Sequence, residues 1–272
     1  MTNNELRRRL IKKAIELEGD YLSLNVAKSS ISNNENSTNE YFSLRSSTLV
    51  EGDEEYPDYF YNLNENPIVL FCYGNKHLLE IDNRLGVVGT RHPSKTGLQA
   101  IKGILDYTVK HYASLNEKFA IVNGMARGID VLAARVAMKY HMPIIMYLGS
   151  GIDNVYPSEA QDVYDYCRRG NGLILSEYPN LVPPRKEHFP FRNRLIAATS
   201  SFLFVPEALI PSGTYSTVNY ALNLGVPIAT CPFSFTEENS LNNILIKDGA
   251  ESILSGKDLV EFIEYNKITY KL

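Results

Sequence analysis

Cysteine is scarce in this chain. Cys72, Cys167 and Cys231 are the three among 272 residues, odd in number and far apart. That argues against a disulfide framework and a cysteine-based zinc site, and it suits a reducing compartment. No apolar run approaches the roughly 18 residues of a membrane span, and the first residues lack the apolar core of a secretion signal. A cytoplasmic protein with no membrane attachment and no metal is therefore expected. The motifs of several common chemistries are missing as well: H-E-x-x-H, G-x-S-x-G, G-x-G-x-x-G and the Lys-Ser/Thr of a phosphate-binding P-loop. ATP hydrolysis and a nicotinamide cofactor are not expected, and neither a cofactor nor a catalytic residue is assigned.

A basic excess is also lacking, since the net charge is −4. The charge is unevenly spread, however. Residues 84–200 hold 15 Lys and Arg against 9 Asp and Glu, whereas the remainder holds 12 against 22. Local field, not overall pI, decides whether a phosphate backbone is drawn to a face.

What is present centres on residues 184–200, which run from Pro184-Arg185-Lys186-Glu187-His188-Phe189-Pro190-Phe191-Arg192-Asn193-Arg194 into an apolar helix. Arg185, Lys186, Arg192 and Arg194 can neutralise phosphates, and Phe189 or Phe191 offers a face on which a base can stack. Cations interleaved with aromatics suit a sequence-tolerant single-strand binder. A solvated loop anchored by its phenylalanines has the same composition.

Around this stretch the chain has a simple order. Residues 4–18 read as an amphipathic helix, with Leu6, Leu10, Ile11, Ala14 and Leu17 on one side and Arg7, Arg8, Arg9, Lys12 and Lys13 on the other. Residues 28–40 are a Ser/Asn-rich tract read as a loop or linker. Short apolar strands follow at 68–73, 85–88, 119–122, 143–148, 173–176, 202–205 and 228–230, and from residue 85 helical patterns alternate with them. That alternation predicts an α/β, Rossmann-like, doubly wound and mostly parallel sheet, with a small N-terminal helical or irregular extension. The expected division is residues 1–55, a helix plus linker; 56–256, the Rossmann-like domain; and 257–272, a short tail.

Ligands of such sheets bind at the carboxyl ends of the strands. There the sequence places Gly89, Thr90, Arg91 and Ser94, then Gly124 and Arg127, then Ser212, Gly213 and Thr214. Glycine lets the backbone approach an anion, and amides at a helix start can face it. Asp130 is placed to cap the helix after Arg127, Ser216 or Thr214 to cap the helix after Pro211, and His92 and His188 read as surface histidines.

Taken together, these stretches resemble the bacterial DNA-processing protein A family, also called Smf. The likeness lies in Gly89 to Gly97, Asn123 to Ala134, Leu148 to Pro157, Leu175 to Pro179, Phe189 to Ser200, Ser212 to Thr214 and Asn243 to Ala250, in that order. Asn123 and Ala134 depart from that family's usual Ser and His. The resemblance implies a homodimer without known catalysis that binds single-stranded DNA, protects it and passes it to the RecA recombinase in natural transformation. It also implies DNA-contacting roles for Arg91, Lys186 and Phe189. Arg127, Arg185, Arg192 and Arg194 are added on charge grounds. Two rivals stand beside it: a nucleotide N-glycosidase resembling phosphoribohydrolases, and a small-nucleotide sensor. The turn Pro211 to Thr217 lacks the second glycine and the glutamate of the former.

Overall fold

The computed structural model describes residues 3–31 and 46–269. Most of the expected Ser/Asn tract lies outside the described residues; Lys28 to Ile31, its first part, are instead the last residues of a helix. Two helices open the chain, α1 (Asn3–Glu16) and α2 (Tyr21–Ile31), the second not anticipated from its sequence. They turn at Gly19, which has a φ of 77° and sits against the carbonyl of Glu177, where a side chain would clash. Leu10, Ile11, Ala14 and Leu24 are buried. The cationic side of α1 is partly engaged, because Arg7 holds Asp53 at 2.9 Å and donates to the Thr48 carbonyl.

Among the described residues the sheet has nine strands: β1 (Ser47–Val50), β2 (Val69–Gly74), β3 (Asn83–Val87), β4 (Phe119–Asn123), β5 (Ile144–Tyr147), β6 (Gly172–Ser176), β7 (Phe202–Val205), β8 (Ile228–Thr230) and β9 (Glu251–Ser252). Their spatial order is β1-β2-β6-β5-β4-β3-β7-β8-β9. The β1–β2 and β2–β6 pairs are antiparallel and every other pair is parallel. The central strands are continuous apolar runs because both of their faces are covered. All of β4, β5 and β6 is buried.

Helices cover both faces. After β3, α3 (Lys95–Gln99) continues through a π-type turn (Ala100–Leu105) into α4 (Asp106–Leu115), which ends where Asn116 turns left-handed at φ 54°. With α5 (Ile129–Lys139), α6 (Gln161–Tyr166) and α10 (Gly256–Thr269), this helix packs on the same face as α1 and α2. On α5 the small residues Ala133, Ala134 and Ala137 let the helix lie close to the sheet. The other face carries α7 (His188–Thr199), α8 (Gly213–Asn223) and α9 (Leu241–Lys247). The doubly wound, mostly parallel architecture is the expected one, with an antiparallel edge formed by β1 and β2.

Chain order reverses at β3. Its neighbour β4 comes next in sequence, while β7, on its other side, is reached only after β6. The helices that follow β3 and β7 therefore diverge to opposite faces, leaving a crevice outside the strand ends.

Candidate nucleic-acid interface

The helix beside this crevice, α7, has no polar face. His188 and every residue from Arg192 to Thr199 are buried. A buried Arg-Asn-Arg run is tolerated only if its polar atoms find partners, and each residue does so differently.

Arg192 reaches the sheet. Its Nη1 donates to the carbonyls of Gly124, at 2.9 Å, and Tyr147, and its Nε donates to Asn193 Oδ1. Glycine at 124 leaves room for the guanidinium, which an added Cβ would meet at 2.5–2.8 Å and displace. Burial lowers the Arg192 pKa to about 10, against the nearby negative charge of Asp130. Arg192 is thus a fixed cation in the cleft wall. Asn193 ties α7 to α8 through its Nδ2, which donates to the Gly213 carbonyl at 3.1 Å.

Arg194 points the other way, and the expectation of a phosphate contact there is corrected. Its guanidinium is fully buried against Glu177, with Nη2–Oε1 at 2.6 Å and Nη1–Oε2 at 2.8 Å. Its Nε donates to the Glu65 carbonyl, and its Cζ lies 3.6 Å from the Phe191 ring centroid. Phe191 also packs on Tyr21 of α2, so this ring anchors the N-terminal helices. His188 is corrected too: it is buried, stacked on Tyr178 with centroids 3.8 Å apart, and its Nδ1 meets the Gly149 carbonyl at 3.2 Å.

Phe189 is the aromatic that faces the cleft. One side of its ring rests on Gly149, where an added Cβ would come within 2.7 Å of Cδ1. Tyr156 lies 5.8 Å from it between centroids, and the Arg91 guanidinium lies 5.7 Å from its centre. Around it opens a cleft of about 680 Å³ lined by Gly89, Thr90, Arg91, Lys186, Arg192, Ser212, Gly213 and Thr214 among others. A smaller recess of about 130 Å³ shares Arg91, Tyr156 and Phe189 and adds Gly124 and Arg127. Arg91 and Lys186 are exposed on the rim and form no ion pair among the described residues. Arg127 is held by Glu159 at 2.7 Å. Arg185 is outside the cleft lining and pairs with Glu18 at 2.9 Å.

The anion cradles turn out to be largely filled by the protein itself. Ser94 does not await a phosphate: its N–H and its Oγ both donate to the Glu207 carboxylate, each at 3.0 Å. Asp130 is not the cap of α5, which is Gly128. Its carboxylate instead accepts from the amides of Gly124, at 3.0 Å, and Ala126, at 3.3 Å. Burial raises the Asp130 pKa to about 6, while Arg192 and the amides of Gly124, Ala126 and Gly89 pull it down. At α8 the capping position is Ser212, not Thr214 or Ser216, and its side chain makes no capping hydrogen bond. The Ser212 Oγ is buried without a partner among the described residues.

A buried carboxylate under each of the first two turns, fixed cationic groups and a supported aromatic at a strand-end crevice form a specific pattern. The family model for DNA recombination-mediator protein A matches residues 47–264. The chain belongs to that family. Among its relatives, the DNA processing protein DprA of Streptococcus pneumoniae R6 is 32% identical over 214 residues, covering 78% of this chain and 73% of the relative. DprA of Bacillus subtilis is 29% identical over 224 residues, covering 82% and 73%. In three dimensions, the X-ray structure of DprA from Streptococcus pneumoniae superposes with a TM-score of 0.76 at 27% identity, over 96% of this chain and 98% of that one. A Helicobacter pylori DprA structure, described for its single-stranded DNA binding mode, gives 0.70 at 29%, over 82% and 97%.

Sequence reasoning left Tyr156, Asn193 and Thr217 without a role, yet all three are at the site. Its place in the Leu148 to Pro157 stretch that carries the family resemblance was a signal for the first. Nothing local marked the others, whose position depends on how α7 meets α8.

Proposed function

We propose that this chain binds single-stranded DNA, as its Helicobacter pylori relative does, and that it does so in the strand-end cleft. The observation that carries this reading is Phe189, backed by Gly149 and flanked by Arg91, with its free side in a cleft rimmed by Arg91 and Lys186, which form no ion pair among the described residues. A base stacks on the ring in a sequence-tolerant way because every base has a π-face. Adjacent phosphates meet Arg91, Lys186 and the start of α8, with Arg192 supplying fixed charge from behind. Binding releases counterions, so affinity falls with salt. Backbone phosphates and a stacked base need no chemistry from the protein, and no catalytic step is assigned.

In keeping with its family, we further propose that the chain works as a homodimer in the cytoplasm, protecting incoming strands and handing them to RecA in transformation and recombination. Among the described residues no helix is long and apolar enough to cross a membrane. Two clefts on one strand would raise avidity where the intervening DNA spans them.

Fluorescence anisotropy tests the binding, using a labelled oligo-dT and a duplex of equal length at two salt concentrations, with wild type and Arg91→Ala. The expected result is salt-sensitive preference for the single strand, weakened in the variant. Equal affinity for both DNAs, or no effect of the substitution, would sink the cleft as the binding site.

A further inference from the structure

In a Rossmann-type sheet the first strand-to-helix turn is where a nucleotide's pyrophosphate sits, held by amides at the helix start. Here that turn joins β3 to α3, and a side chain from the far side of the switch point occupies it. Glu207 follows β7, is 5% exposed, and places its carboxylate on the Ser94 N–H at 3.0 Å and the Ser94 Oγ at 3.0 Å. The same carboxylate packs against Gly97, where an added Cβ would displace it. The Glu207 backbone carbonyl takes the Thr90 N–H at 2.8 Å. The second turn is filled in the same manner by Asp130.

We propose that Glu207 is a specificity-determining residue that excludes nucleoside diphosphates and dinucleotides from this site. The proposal rests on the reading of the cleft as a DNA-binding site and names which phosphate chemistry it rejects. A pyrophosphate at the first turn would face the carboxylate and find the Ser94 donors already used. The isolated phosphates of a polynucleotide need no such cradle. They meet Arg91 and Lys186 on the rim, where one charge is satisfied at a time. A fold that ordinarily takes free nucleotides is thereby reserved for a strand, which matters in a cell where free nucleotides are abundant competitors.

The test compares wild type, Glu207→Ala and Glu207→Gln in two assays. The first is displacement of labelled oligo-dT by ADP and by inorganic pyrophosphate. The second is thermal melting with and without ADP, since a ligand that binds only the folded state raises its melting temperature. Wild type should be displaced poorly by ADP and show no rise in melting temperature. In Glu207→Ala the ADP concentration for half-displacement should fall roughly tenfold or more, and ADP should raise the melting temperature. A purely structural role for Glu207 would lower the melting temperature without creating that ADP response. If the alanine variant does not fold, the glutamine variant, which keeps the acceptor and removes the charge, carries the comparison. Equal ADP responses in wild type and in the folded variant overturn the proposal. Failure of wild type to bind oligo-dT would instead remove the DNA-binding reading, and the melting series would still decide the role of Glu207.

Discussion

Arg194 and Glu177 form a bidentate ion pair that is closed to solvent, with the two nitrogen–oxygen distances at 2.6 and 2.8 Å and the arginine side chain 0% exposed. The pair joins α7 to the end of β6, and the Arg194 ring contacts extend the joint to α2. Removing one partner strands a buried charge. Arg194→Ala should therefore lower unfolding free energy by about 3–5 kcal/mol, read from chemical denaturation. The folded fraction should keep the wild-type salt dependence of oligo-dT binding, because Arg194 faces no phosphate.

Phe189 and Phe191 are two residues apart and should separate cleanly in mutagenesis. Phe189→Ala should weaken oligo-dT binding by roughly 1–3 kcal/mol with little change in melting temperature. Phe191→Ala removes the ring between Arg194 and Tyr21. It should lower the melting temperature while leaving the affinity of folded protein near wild type. Anisotropy and melting on the same preparations distinguish the two.

Gly149 sets the height of the stacking face. Gly149→Ala would put a methyl group within 2.7 Å of the Phe189 ring and push it into the cleft. Affinity for oligo-dT should fall although no DNA-facing group is deleted. The double variant Gly149→Ala, Phe189→Ala should be no weaker than Phe189→Ala alone, as expected for coupled neighbours.

Charge removal should be graded by pairing. Arg91→Ala and Lys186→Ala should each reduce the slope of log affinity against log salt by about 0.7, the single-strand value per phosphate. Arg185→Ala should leave it unchanged, since Arg185 is held by Glu18 away from the cleft lining. Binding measured at four or five salt concentrations gives the slopes.

Asp130 makes stability depend on pH. Its carboxyl releases a proton near 3.8 in the unfolded chain and near 6 in the fold. Between those values the folded state binds more protons, so this group's contribution falls as pH rises from about 4 to 6 and is level above that. Two units correspond to roughly 3 kcal/mol. Asp130→Asn should flatten the stability profile between pH 4 and 6, as read by urea titration. Carboxyl NMR of wild type should show one Asp titrating near 6.

The apolar runs determined the sheet. Ile121, Ile145 and Ile174 belong to segments too short and too apolar for anything but buried parallel strands, and that signal is local. The edge strand β1 was not legible, because Ser47–Val50 is only four residues long and acquires its identity by pairing with β2. Helix α2 was obscured by the serine-rich tract that it enters, and it is stabilised by burial of Leu24 and contact of Tyr21 with Phe191.

At the site, the sequence by itself determined which residue types would gather: a cation-and-aromatic stretch and small residues at strand ends. Only the tertiary structure decided their roles. Successive α7 residues point about 100° apart, so Arg192 meets the cleft while Arg194, two residues on, enters a buried pair. The carboxylates that occupy the turns come from opposite sequence distances. Asp130 lies six residues from the Gly124 amide, whereas Glu207 lies 113 residues from Ser94. No local pattern carries a contact of the second kind; it exists because β3 and β7 are neighbours in the sheet.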